Sequence, residues 1–120
     1  MAYSYRELIV WKKSIALVVE VYRLTDSFPK QEMYGLTSQI RRVAVSIPAN
    51  IAEGSARGHR KEFCQFVRVA YASGAELETH LEIAKCLGFV TEANIKNATN
   101  LLEEVMKMAN VLAKRLSANR

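Results

Sequence analysis

The sequence predicts an all-α protein, an antiparallel up-and-down bundle of four helices. Three observations lead there. Apolar residues recur at steps of three and four in four long stretches, the spacing that puts side chains on one face of a helix. Helix formers dominate, with only two prolines and five glycines. The polar connections between the stretches are short, which makes consecutive helices antiparallel neighbours. Half of the 120 residues are hydrophobic, enough for one core, so a single bundle domain over residues 1–120 is expected.

The first helix is predicted from Tyr5 to Thr25. Leu8, Trp11, Ile15, Val18 and Tyr22 form a heptad seam suited to intramolecular packing. A second row, Val10, Leu17, Val21 and Leu24, lies on a different side. A narrow wedge of Lys12, Lys13, Glu20 and Arg23 is plainly polar. One seam suffices for a monomeric bundle. The second row therefore marks either a helix more buried than the others or, the reading favoured here, a subunit interface.

Residues 26–31, DSFPKQ, read as a turn. Pro29 suits the first turn of a helix, and Glu32 suits its positive end. The second helix centres on residues 36–54, LTSQIRRVAVSIPANIAEG. Leu36, Ile40, Val43, Ile47 and Ile51 form its apolar stripe. Gln39, Arg42, Ser46, Asn50 and Glu53 form a polar row beside it, either a solvated face or a hydrogen-bonded seam. Pro48 sits inside the pattern. Its ring crowds the Ala44 carbonyl and leaves it without an N–H, so a kink at Pro48 or two abutting segments are expected. Gly54 is the expected stop.

The third helix is predicted from His59 or Arg60 to Leu87. Its seam is Phe63, Val67, Ala70, Gly74, Leu77, Leu81 and Ala84, with Ala70 and Gly74 small enough for close approach of a neighbour. Lys61 and Arg68, seven apart, share an outer face. Gly88–Val90 makes the last turn. Thr91 is the expected N-cap of a fourth helix running to Leu116 through Ile95, Ala98, Leu102, Val105, Ala109, Leu112 and Leu116. Glu103 and Lys107 are spaced for an i,i+4 ion pair.

Composition excludes several classes. No run of about 20 apolar residues could span a membrane. The first ten residues lack the charged start and apolar stretch of a secretory signal, so a cytoplasmic protein is expected. Cys64 and Cys86 stand roughly 33 Å apart if they share one helix. A disulfide needs Cα atoms within about 7 Å, so free thiols are expected. His59 and His80 with these cysteines make no metal-ligand spacing. No phosphate-binding glycine loop, nucleophile elbow or paired Glu-x-x-His motif occurs. No enzyme activity, cofactor or metal is expected.

The net charge is +5. Residues 1–75 hold eleven of the seventeen Lys/Arg but only six of the twelve Asp/Glu, and the rest of the chain is balanced. Arg41, Arg42, Arg57, Arg60, Lys61 and Arg68 are the candidate phosphate contacts in this basic part. Few aromatics accompany them, so backbone contact rather than sequence readout is expected.

The stretches YGLTSQIRRVAV at 34–45 and SIPANIAEG at 46–54 resemble the signature of the four-helix bundle proteins named for reading frames in 23S rRNA intervening sequences. YRELIVWKKSIALVVEVY at 5–22 is similar to that family's first helix. Residues 61–90 are similar to its third helix and following turn. The resemblance implies a left-handed antiparallel bundle that assembles into a ring, often a pentamer. It also implies kinship with accessory factors of diversity-generating retroelements, in which a basic pentameric barrel contacts nucleic acid and a reverse transcriptase. It supplies no catalytic residues. His59 stands where the family usually has Ser or Thr, and Tyr71-Ala72 stands where it has Arg-Gly, one positive charge fewer. Two functions follow as expectations: a basic homo-oligomeric adaptor for RNA or DNA, working beside a polymerase-type protein, or a protein-assembly scaffold whose charge serves solubility.

Overall fold

Pro48 sets the first question for the structure, a computed structural model that describes residues 4–118. α2, Leu36–Ala56, runs as one unbroken helix across Pro48. The predicted division into two abutting segments does not occur. The Asn50 amide donates to the Ser46 carbonyl at 2.7 Å, not to the Ala44 carbonyl that the proline leaves open. The helix also passes Gly54 and ends at Arg57. Gly58, with φ of 78°, takes the left-handed conformation just beyond.

The other helices follow the periodicity closely. α1 is Ile9–Thr25, preceded by a single 3-10 turn at Tyr5–Glu7. Leu8 is extended and separates the two, so the predicted helix start at Tyr5 is a turn instead. A second 3-10 turn at Lys30–Glu32 follows Pro29. Glu32 then accepts the Leu36 N–H at 3.2 Å, satisfying one orphan donor of α2. α3 spans Arg60–Cys86 and α4 spans Glu92–Ala118. Thr91 Oγ1 accepts the Asn94 N–H at 3.1 Å, the predicted cap. His59 precedes α3 without a side-chain cap.

Each helix packs on its two neighbours, α1 on α2 and α4, α3 on α2 and α4, with no diagonal contact. The result is a four-cornered antiparallel bundle with extents of 47 × 22 × 19 Å. Val67, Ala70, Leu77, Leu81 and Ala84 of α3 meet Ile95, Ala98, Leu102, Val105 and Ala109 of α4 in one buried core. Ile40, Ile47 and Ile51 of α2 complete it. Each such large side chain contributes about 1.5–3 kcal/mol by leaving water.

α1 overturns one expectation. Val10, Leu17, Val21 and Leu24, the predicted subunit interface, are buried in the core. Ile15 and Tyr22, assigned to the internal seam, are exposed, while Leu8, Trp11 and Val18 are half-buried. The cause lies in the polar wedge. It borders the core stripe rather than standing opposite it: Lys13 reaches across to Glu104 of α4 at 3.2 Å, and the Glu20 side chain is only 13% exposed. The stripe also holds Ser14 and Thr25, which are buried because their hydroxyls donate to the carbonyls of Trp11 and Val21, each at 2.8 Å.

Two glycines set how closely the helices pack. A Cβ on Gly54 would lie 2.5 Å from Cβ of Phe66, so α2 and α3 meet there almost backbone to backbone. A Cβ on Gly74 would meet Met106 Cγ at 2.8 Å, but that side chain can move. Helix propensity alone says that alanine stabilises either site by about 1 kcal/mol. We expect Gly54→Ala instead to lose about 1–2 kcal/mol, because overpacking outweighs propensity. Gly74→Ala should be neutral or stabilising, and thermal melts of the two variants separate the cases. Leu17→Ala should cost about 2–5 kcal/mol in the same assay, as a core truncation does and an interface truncation in a folded protomer does not.

Candidate nucleic-acid interface

A cation available to a phosphate must be exposed and not already committed to a neighbouring group. The six candidate residues divide on this criterion. Arg41 is committed. Its Nε donates to Thr25 Oγ1 at 2.8 Å, its guanidinium stands 4.6 Å from the Tyr22 ring centre, and its side chain is 20% exposed. It ties α2 to the end of α1. Arg57 pairs with Glu53 at 3.0 Å and Glu62 at 3.7 Å and covers the Phe66 ring. It closes the connection between α2 and α3. Arg60 donates to the carbonyls of Leu116 and Arg115 at 3.1 and 2.8 Å, satisfying two orphan acceptors at the end of α4. These three arginines make contacts within the protomer that tie its elements together. Arg42, Lys61 and Arg68 are exposed and form no ion pair or side-chain hydrogen bond among the described residues.

The polar row of α2 is likewise divided. Ser46 donates to the Val43 carbonyl at 2.7 Å, so the 2.9 Å contact with Ser73 of α3 has Ser73 as donor. With the bond from Asn50 to the Ser46 carbonyl, this gives a short bonded seam on the α2–α3 edge. Gln39 and Arg42 continue along an open groove with Ser73 and Glu76 but bond to nothing in it. Glu53 leaves the seam for Arg57. The hydrogen-bonded reading therefore holds for Ser46 and Asn50, and the solvated reading for Gln39 and Arg42.

Further cations in the last 45 residues were not read as phosphate contacts, because that block is neutral as a whole. Lys107, Lys114 and Arg115 of α4 carry no ion pair among the described residues, and the predicted Glu103–Lys107 pair is not formed. Of the acids in that block, Glu103 and Glu104 stand one turn from Lys107, while Glu78, Glu82 and Glu92 lie toward the other end of the bundle. There Lys85 bridges Glu82 and Glu92, each at 3.2 Å. The hydrogen bond it donates to Glu92, then that to Glu82, holds the Lys85 ammonium above the ordinary lysine range. That cation is committed too.

Catalytic groupings are sparse. His80 Nε2 lies 3.9 Å from Glu76 and His59 is exposed, but neither stands beside a nucleophile. Cys64 is buried and donates to the Ala113 carbonyl at 3.4 Å; Cys86 is exposed. Among the described residues no group of three His, Cys, Asp or Glu could hold a metal ion, and no helix is long and apolar enough to cross a membrane.

The likeness to known proteins agrees with this architecture. A crystal structure of a protein of unknown function from the S23 ribosomal protein family of Bacteroides thetaiotaomicron superposes with a TM-score of 0.79. It shares 25% sequence identity, over 88% of this chain and 99% of that one. Among curated proteins none matches. The model of the 23S rRNA-intervening sequence protein family matches residues 6–111, nearly the whole bundle. The chain belongs to the 23S rRNA-intervening sequence protein family.

Proposed function

We propose that this chain is a non-enzymatic, basic, homo-oligomeric bundle protein of the cytoplasm that binds nucleic acid as an accessory or adaptor. The observation that carries the reading is the division of its arginines and lysines. Arg42, Lys61 and Arg68 have no structural task, remain exposed, and belong to a chain of net charge +5. Such cations attract polyanions and are unfavourable neighbours otherwise. A polymerase-type protein is the partner that the resemblance implies.

The interface between copies moves to a different face from the one the sequence suggested. Ile15, Val19 and Tyr22 follow one another at four and three residues along α1, and Val19 is 52% exposed. Arg41 over Tyr22 places α2 beside this row, and exposed Val45, one turn on from Arg41, extends it. This apolar face supports self-association. The pentameric number comes from the family resemblance. Five copies would repeat each weak cationic patch around a ring and bind a long polyanion by avidity.

Light scattering at micromolar concentration should give a multiple of 13.5 kDa. A 13.5 kDa species alone would sink the assembly. Val19→Glu should dissociate the oligomer and leave the helical circular dichroism intact, because the residue lies outside the core.

For binding, a salt titration against mixed RNA and DNA fragments decides. Log K should fall linearly with log salt, by about 0.9 per duplex phosphate neutralised. Reversing Lys61 and Arg68 together should flatten the slope by up to about 1.8. If the wild-type protein binds nothing at low salt, the adaptor reading fails and a protein-assembly scaffold takes its place.

A further inference from the structure

The unpaired cations of α3 and α4 come from opposite ends of the sequence, and the bundle brings them to one place. Lys61 and Arg68 are seven residues apart, two turns of α3, which is roughly 10 Å. Lys107 and Lys114 are likewise seven apart on α4. The register between the helices is fixed at three levels. Arg60 reaches the carbonyls of Arg115 and Leu116, Cys64 reaches that of Ala113, and Gly74 rests against Met106. Lys61 is therefore level with the last turns of α4 that hold Lys114. Arg68 falls between the levels of Ala113 and Met106, beside the turn that holds Lys107. Tyr71, one turn past Arg68, lines an outer groove together with Lys107, Met106 and Asn110.

Packed helices stand about 8–10 Å apart. The four cations thus mark the corners of a patch roughly 10 Å on each side. Glu103 lies at its edge and forms no pair with Lys107. Arg42 does not belong to it, because its groove lies on the α2–α3 edge.

We infer that this α3–α4 face binds the phosphate backbone of a double-stranded nucleic acid. The inference rests on the polyanion-binding reading above and names the surface and the kind of strand. Both rows ride on helices held in register by Arg60 and Cys64. A duplex presents about one charge per 1.7 Å of axis on a stiff surface, twice the axial density of one of its strands. Four fixed cations can neutralise several of those phosphates without ordering a flexible chain. A single strand is held instead by stacking its bases on successive aromatics. Tyr71 is the one exposed aromatic of α3 and α4, so the face offers no such platform.

The test compares an RNA duplex, a DNA duplex of the same sequence and one of the strands alone, each titrated with salt against the full chain. We expect both duplexes to bind more tightly than the strand. Lys107→Glu with Lys114→Glu should weaken duplex binding roughly tenfold or more and lower the salt slope by about 1.8. Lys30→Glu, at an exposed lysine of the 3-10 turn before α2 and outside the patch, should change affinity by less than roughly twofold. The neutral pair, Lys107→Gln with Lys114→Gln, removes the same two contacts and should lower the slope by a similar amount, with a smaller loss of affinity. Circular dichroism and light scattering confirm that fold and assembly survive. Wild-type binding that resists the α4 reversal, or that Lys30→Glu damages as much, overturns the assignment of this face and leaves the general reading standing. Equal affinity for the single strand overturns the choice of duplex. Failure of the wild-type protein to bind any of the three at low salt overturns both.

Discussion

The absence of a side chain at Gly54 determines how the second half of the bundle sits on the first. With no Cβ there, α2 lies close enough to α3 for Phe66 to occupy the space a methyl group would fill. Phe66 in turn supports the Arg57 guanidinium, which is also held by Glu53 and Glu62 on either side of the loop. The turn after α2 is thus fixed by a contact one helix away from it. Its direction sets where α3 begins, and Arg60, the first residue of α3, closes the end of α4. A single close approach propagates through two arginines to the far edge of the bundle. This is why Arg57 and Arg60, basic and exposed, are structural residues.

Much of this architecture was legible in the sequence, and the misreadings have physical causes. The seams of α3 and α4 were visible because their outer faces are strongly polar, leaving one apolar stripe each. In α1 two apolar stripes lie side by side, and periodicity has the same value for both. The lone polar wedge invites the assumption that solvent lies on its side and core opposite. Long charged side chains break that assumption at a bundle edge, where Lys13 and Glu20 lay their apolar stems beside the core. Ser14 and Thr25 carried the discriminating signal. Small hydroxyls that can bond to the preceding turn tolerate burial, and their stripe is the internal one. At Pro48 and Gly54 the residue types were read by their habitual roles, break and stop. Both are buried inside one continuous helix, and Gly54 serves a close approach to α3 instead.

Charge was less legible than hydrophobicity, for a reason of dimension. A count along the chain treats residues 76–120 as neutral, because six cations offset six acids. The antiparallel α3–α4 pair separates some of those groups by much of its length. Glu78, Glu82 and Glu92 lie with Lys85 toward one end of the α3–α4 pair, Lys114 and Arg115 lie at the other, and Lys107 stands between them, one turn from Glu103 and Glu104. The Debye length at physiological salt is about 8 Å, well short of that separation. The distant acids therefore do not offset Lys114 and Arg115, and a local potential survives at that end where the total suggests none. The spatial neighbours of Lys107 and Lys114 are Lys61 and Arg68, more than three dozen residues away in sequence.

The apolar row of α1 and the cationic corners of α3 and α4 lie on opposite sides of the four-cornered bundle, since α1 touches α2 and α4 but never α3. That opposition constrains how the proposed assembly could work. Copies joined through α1 and its α2 border would turn their α3–α4 faces outward or along the rim, not into the contact. Self-association would then leave the cations accessible and multiply them. The reverse arrangement, with α3 and α4 at the interface, would bring like charges together and desolvate them, which costs several kcal/mol per unpaired ion. The distribution of exposed apolar and unpaired basic side chains thus selects among ways of joining copies, and it favours the one in which assembly and polyanion binding use different faces of the same protomer.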